Sequence, residues 1–166
     1  MGNPRTLAFA LAALIAGVDQ FLKYWVLAAF NLDYQGAQHE LLPFFQFTLT
    51  HNEGIALGLF QAGSAAARWA LTGMLSLVTV GVTYWLWTEK NRNDALGLGL
   101  ILGGAIGNLV DRARLGYVID YADLHFGDFR PFLIFNLADA AITIGVLMLL
   151  ARALFVRDDS PETETK

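Results

Sequence analysis

Four stretches of this chain are apolar enough, and three of them long enough, to cross a bilayer as single helices: residues 7–30, 69–88, 95–110 and 131–151. A helix needs about 20 mostly apolar residues to span the hydrocarbon core. A chain of 166 residues that spends itself on four such runs has room for little else. Run 7–30 is interrupted by Asp19, Gln20 and Lys23, run 69–88 holds no charge, and run 131–151 contains a single acid, Asp139. The third run is uncharged for 16 residues and rich in glycine, and it is expected to borrow its ends from the polar residues on either side. Composition agrees: 16% of residues are charged, against about 25% in soluble domains. The expected fold is all-α, an integral membrane protein built as a four-transmembrane-helix bundle. Residues 1–157 form a single membrane-embedded domain, and the polar stretch 158–166 is expected to be a disordered tail.

Other classes fall away on simple grounds. A net charge of −4, with 11 Lys and Arg in total, supplies no basic stripe for nucleic acid. The absence of cysteine removes thiol nucleophiles, disulfides and Cys-ligated zinc. Arg5 before an apolar run, with Ala10-Leu11-Ala12 inside it, has the outline of a cleavable signal peptide. Three further spans and the apolar sequence continuing to Phe30 favour a retained first helix. Met1-Gly2 with Thr6 matches the bare myristoylation pattern, an accidental match in a polytopic chain.

With the N-terminus inside, the inner segments carry Arg5, Lys90, Arg92, Arg152, Arg157 and Lys166, and the outer ones Arg68, Arg112, Arg114 and Arg130. The bias of six to four places both termini in the cytoplasm. That leaves an outer loop at 31–67, an inner turn at 91–94 and a second outer loop at 111–130. Within these, 42–50 and 116–124 mix aromatic, β-branched and polar residues in partial alternation. They predict short strands forming a small extracytoplasmic β-sheet element.

Ionisable groups inside a span are costly and mark interior or water-facing positions. Asp19 and Lys23 stand one turn apart in the order that favours an i,i+4 ion pair. A buried pair fixing helix register explains them as well as a chemical role does. Lys23, seven residues before Phe30, and Asp139, seven after Phe132, are expected about 10 Å below their outer helix ends. Asn108, Asp111 and Arg112 close the third run on one face, and Arg112 is placed to cap that helix. Gly99, Gly103 and Gly107 repeat at small-xxx-small spacing and predict close helix packing, not a nucleotide loop. His39, His51 and His125 lack metal-ligand spacing, and Ser64, Ser76 and Ser160 lack a neighbouring base. The histidine spacing points to no zinc site.

Carboxylates remain. Asp120 sits in a strand-like stretch and Asp139 in the outer part of the fourth run, with a linker long enough to bring them together. Two carboxyls sharing one proton can deliver water to a peptide carbonyl. Asp139 is equally suited to a proton or cation site in a small transporter, although four spans without an inverted repeat give no alternating-access machinery. A helical assembly factor without catalysis is the third class.

Taken in order, five segments resemble those of the bacterial lipoprotein signal peptidase family, also called signal peptidase II or prolipoprotein signal peptidase. They are Asp19-Gln20-Phe21-Leu22-Lys23, Asn52-Glu53-Gly54-Ile55-Ala56, the run from Gly103 to Arg112, Val118-Ile119-Asp120-Tyr121, and Phe135-Asn136-Leu137-Ala138-Asp139. The resemblance implies a membrane aspartic endopeptidase with Asp120 and Asp139 as its catalytic pair. It implies that Asn52, Gly54, Asn108, Arg112 and Asn136 line the site, supported by Asp19, Lys23 and Asp111. It further implies cleavage of diacylglyceryl-modified prolipoproteins on the amino side of the lipidated cysteine, at the outer face of the bacterial cytoplasmic (inner) membrane. The enzyme would act as a monomer without cofactor and be inhibited by globomycin. Two positions depart from the family's usual residues: Leu57 and Tyr121 each stand where Phe is common.

Overall fold

The computed structural model describes residues 3–54, 65–127 and 129–155. Ile55, Ala56, Leu57 and Ser64, the Met1-Gly2 pair and the 158–166 tail lie outside the described residues. Among the described residues, four helices are each long and apolar enough to cross a membrane: α1 (Pro4–Ala29), α2 (Ala65–Thr88), α3 (Arg92–Leu115) and α4 (Leu137–Phe155). Three strands, β1 (Gln38–Leu42), β2 (Phe45–Asn52) and β3 (Val118–Leu124), form an antiparallel sheet in the order β1-β2-β3.

Local chemistry sets the helix ends. Asn3 accepts from the Arg5 N–H at 3.1 Å and Pro4 occupies the first turn of α1, where its missing N–H costs nothing. α3 does borrow from its flanks at both ends. Asn91 caps it by accepting from the amides of Asn93 and Asp94, and Gly116, at φ 83°, stops it by donating to the Arg112 carbonyl at 3.0 Å. Gly116, not the Arg112 side chain, therefore closes this helix. α4 starts six residues later than its apolar run. Phe135 exchanges backbone hydrogen bonds with Ala122 at 2.8 and 3.1 Å, which holds the chain before Asn136 against β3. Asp139 consequently lies in the first turn of α4 rather than two turns deep, and Asn136 lies just ahead of the helix.

α3 is the hub of the bundle. A Cβ added at Gly99 or Gly103 would stand 2.7 Å from the Ala8 or Ala12 carbonyl oxygen of α1. A Cβ at Gly104 would press still closer on the Ala138 carbonyl of α4, and one at Gly97 would stand 3.2 Å from the Gly145 carbonyl. Two glycine seams thus bring α1 and α4 onto neighbouring faces of α3. α2 packs more loosely, and Thr72, Ser76, Thr79 and Thr83 each return a hydroxyl bond of 2.8 Å to the carbonyl four residues earlier. Those bonds leave no donor to be solvated by lipid.

The described chain ends meet the α2–α3 turn at one end of the bundle. There Arg5 Nε donates to the Glu89 carbonyl at 2.7 Å and Arg152 pairs with Asp94 at 2.6 Å. The sheet covers the other end. Val26, Leu32, Ala37, Leu49, Tyr121 and Ala122 form an apolar core between α1 and the strands. β1 was not foreseen, since Gln38-His39-Glu40 has no apolar alternation; it forms by pairing Gln38–Glu40 with Gln46–Thr48.

Candidate active site

At the sheet end of the bundle a buried polar cluster begins at Lys23. Its three ammonium donors meet three acceptors: Asp19 at 2.7 Å, Asp111 at 2.8 Å and the Asn108 carbonyl oxygen at 3.2 Å. Asp19 and Asp111 are themselves bound by backbone. The Ala138 N–H donates to Asp19 at 3.0 Å, and the Ile119 N–H donates to Asp111 at 3.2 Å. One buried cation thereby ties α1 and α3 to the start of α4 and the start of β3.

Lys23 also determines which way Asn108 faces. An ammonium can only donate, so the amide oxygen of Asn108 must face it, and the amide nitrogen is left to donate to Asp139 at 2.8 Å. Asn136 extends the chain. Its carbonyl oxygen accepts from the Asp139 N–H at 2.9 Å while its own N–H donates back to the Asp139 carboxylate at 3.3 Å, a reciprocal cap at the start of α4. The Asn136 amide nitrogen then donates to Asp120 at 2.7 Å, with the Asn108 oxygen at 3.1 Å and the Ile119 carbonyl at 3.2 Å sharing its second hydrogen. Asn52 supplies the other oxygen of Asp120 with a donor at 3.0 Å.

Asp120 and Asp139 are thus linked by Asn136 and Asn108, in unlike surroundings. Asp120 is 2% exposed, and Asp139 is half-buried. Burial, and then the negative charge of Asp139, push the Asp120 carboxyl up to about 7, against the bonds from Asn52 and Asn136. Arg112 stands beside them, donating at 2.8 Å to the Gly54 carbonyl, while Asn52 accepts from the Gly54 N–H at 3.2 Å. It makes no ion pair with Asp111 among the described residues.

Residues 11–155 match the family described as peptidase A8, signal peptidase (SPase) II. The chain belongs to the signal peptidase II family. A lipoprotein signal peptidase of Rhizorhabdus wittichii is 46% identical over 160 residues, spanning 96% of this chain and 92% of that protein. One from Sphingopyxis alaskensis is also 46% identical, over 96% and 91%. A solved structure of a bacterial membrane enzyme superposes with a TM-score of 0.80 at 25% identity, covering 97% of this chain and 95% of that one.

All ten site residues named from the signal peptidase II resemblance are among the described residues and gather at this end of the bundle. Reading the sequence missed Gln20, although its family motif contains it. Gln20 donates to Asp111 at 2.8 Å and to the Gly107 carbonyl at 3.1 Å. A lone amide inside an apolar run was the available signal. It also passed over Asp123, which is 1% exposed and accepts from Gln46, Thr48 and Arg130 at 2.8 to 3.3 Å. Burial works to raise the Asp123 carboxyl, but those donors outweigh it and hold it below the usual carboxylate range. Asp123 pins the loop that follows β3, whereas Asp120, on the other face of the same strand, is pushed the opposite way. Tyr121 sets its ring edge-on to Phe47 at 6.0 Å, and burial raises its hydroxyl to about 12. His39 and His51 lie against the rings of Phe30 and Tyr117.

Proposed function

We propose that this chain is an aspartic endopeptidase that removes signal peptides from diacylglyceryl-modified prolipoproteins, cutting on the amino side of the lipidated cysteine. The observation that carries the reading is the pair of unlike carboxyls, Asp120 and Asp139, joined through Asn136 and Asn108. Asp120 keeps its proton to about pH 7. It is the member that hydrogen-bonds the scissile carbonyl and steadies the charge developing on its oxygen. Asp139, half-buried and open to water, takes the proton of the attacking water. The proton then passes to the leaving amine. Asn52 and Asn136 hold Asp120 in place, Asn108 holds Asp139, and Arg112 steadies the chain at Gly54 beside the site.

The substrate keeps its acyl chains in the bilayer, which matches a site at the end of a lipid-embedded bundle. We place that end at the outer face of the cytoplasmic membrane and both termini inside, on the six-to-four bias of Lys and Arg. In this reading a monomer without cofactor suffices, and globomycin blocks the site. Cleavage of a lipidated precursor by the purified protein is the decisive test: the product must begin at the modified cysteine. A wild-type protein that leaves the precursor intact would overturn the enzyme reading in favour of transport or scaffolding. For the orientation, a cysteine at Asn93 should react only from the cytoplasmic side and one at Glu53 only from the other.

A further inference from the structure

Beside the polar cluster, on the α2 side of α3, a cavity of about 270 Å³ opens at the sheet end of the bundle. Arg68, Trp69 and Thr72 from the start of α2 and Arg112, Arg114 and Gly116 from the end of α3 define it. Antiparallel neighbours place the first turns of one helix beside the last turn of the other, so three guanidiniums converge there. None of the lining residues is acidic. Among the described residues, Arg68, Arg112 and Arg114 make no ion pair. Arg112 is 9% exposed, and its Nε–H is buried without an acceptor among the described residues. A buried guanidinium N–H left in this way is a standing cost unless something occupies the cavity.

We propose that this cavity seats the phosphate of a phospholipid headgroup, with a strong preference for anionic lipids. Guanidinium forks match phosphate oxygens in pairs, where a single ammonium would act as a point charge. The volume lies below the range of about 300 to 1,000 Å³ typical of drug-sized ligands, which suits a headgroup rather than a peptide segment. Trp69, 67% exposed at the start of α2, has the character of an interfacial anchor, which sets the cavity at headgroup depth. The α3 C-terminus opposes an anion with its last carbonyls, and Gly116 reduces that by engaging the Arg112 carbonyl. Three cations outweigh what remains. The bound lipid would brace Arg112 alongside its bond to the Gly54 carbonyl, so that the headgroup layer itself fixes the depth of the neighbouring site.

The test uses the purified full chain in detergent, titrated with short-chain phosphatidylglycerol and followed by native mass spectrometry. Phosphatidylcholine and inorganic phosphate serve as parallel arms. Arg68→Gln and Arg114→Gln should each weaken phosphatidylglycerol binding about tenfold or more, and phosphatidylcholine should bind more weakly to the wild type. Failure of millimolar phosphate to displace the lipid supports a headgroup site, whereas displacement at that level assigns the cavity to free phosphate and overturns the lipid reading. On the unaltered protein, phosphatidylglycerol should protect Arg68 and Arg114, but not Arg92, from phenylglyoxal. Equal binding by wild type and variants, or no selective protection, overturns the proposal.

Discussion

Neighbouring helices α2 and α3 have the same length and almost the same apolar character, yet 44% of the most apolar 18 residues of α3 are buried inside the fold and only 6% of those of α2. Water would sort two such helices by hydrophobicity, but lipid does not, because tails solvate Leu as well as a protein interior does. Small residues make the difference. Every glycine of α3 touches a neighbouring helix, whereas Gly73 and Gly81 of α2 face open space. Leu77, Val80, Tyr84 and Trp87 give α2 a bulky exterior. The face of α3 that glycine opens is also where the polar cluster forms: a Cβ at Gly107 would stand 2.6 Å from the Asp19 carboxylate. Close packing and chemistry therefore share one side of the bundle.

Removing the chemistry from that side should have the largest effect. Asp120→Asn and Asp139→Asn are each expected to lower the turnover of a lipidated precursor by at least about 10² to 10⁴-fold, with folded protein still recovered from the membrane. Near wild-type turnover in either variant would rule out the dyad. Substitutions on the lipid face of α2, such as Leu77→Ala, should leave turnover unchanged in the same assay.

Next comes the cation that joins the helices. Lys23→Met leaves Asp19 and Asp111 buried without their common partner. Breaking a buried ion pair costs about 3 to 5 kcal/mol, while replacing both members by apolar groups can be neutral. Thermal unfolding in detergent should show a marked loss for Lys23→Met and partial recovery in the double variant Asp19→Leu with Lys23→Met. Recovery stays incomplete because Asp111 keeps its charge and Asn108 loses the donor that orients its amide. A double variant as unstable as the single one would show that Asp19 does more than answer Lys23.

Of this cluster, the i,i+4 spacing made the Asp19–Lys23 pair legible, but nothing local announced Asp111 as a second acceptor. The spans were legible because lipid tolerates so few alternatives. The start of α4 was not, since it depends on Phe135 pairing with Ala122, a contact between distant segments. The cap itself was readable: Asn136 three residues before Asp139, ahead of an apolar run, is a helix-start signature. Gly99, Gly103 and Gly107 disclosed close helix packing through their regular spacing, but not that α1 is the partner. The seam with α4 combines Gly97 and Gly104 with Gly145 of another helix, and no single stretch of sequence carries that pattern.

The buried acid of the site makes stability depend on pH in an unusual direction. Asp120 is pushed up to about 7, whereas an ordinary Asp releases its proton near 3.8. Between those values the native state holds a proton that the unfolded chain has released, so stability falls as pH rises through the window and levels off above about 7. The loss is on the order of 4 kcal/mol at most. Melting temperatures at pH 5 and pH 8 should differ in this sense for the wild type and much less for Asp120→Asn, which has no proton to release. Activity should decline above about pH 7 as the dyad loses its shared proton. A melting temperature that rises between pH 5 and 8 would contradict the buried, raised carboxyl.

The smallest change offers the sharpest contrast between α2 and α3: a single methyl group. Gly81→Ala adds it in open space on a lipid-facing helix, where Ala is the better helix former and restricts the unfolded chain. That variant should be more stable by about 0.4 to 1 kcal/mol. Gly104→Ala adds the same atom against the Ala138 carbonyl and the Ile142 side chain, and a backbone oxygen has no rotamer by which to withdraw. Overpacking of this kind typically costs about 1 to 3 kcal/mol, more than the helix-propensity gain returns. The sign of the effect should therefore reverse between the two helices. Because Ala138 adjoins Asp139 and its N–H holds Asp19, Gly104→Ala should also reduce turnover, while Gly81→Ala should not. Equal responses in thermal melts would mean that the bundle relaxes freely around α3, and that its glycines are not what bring α1 and α4 into place around the two carboxyls.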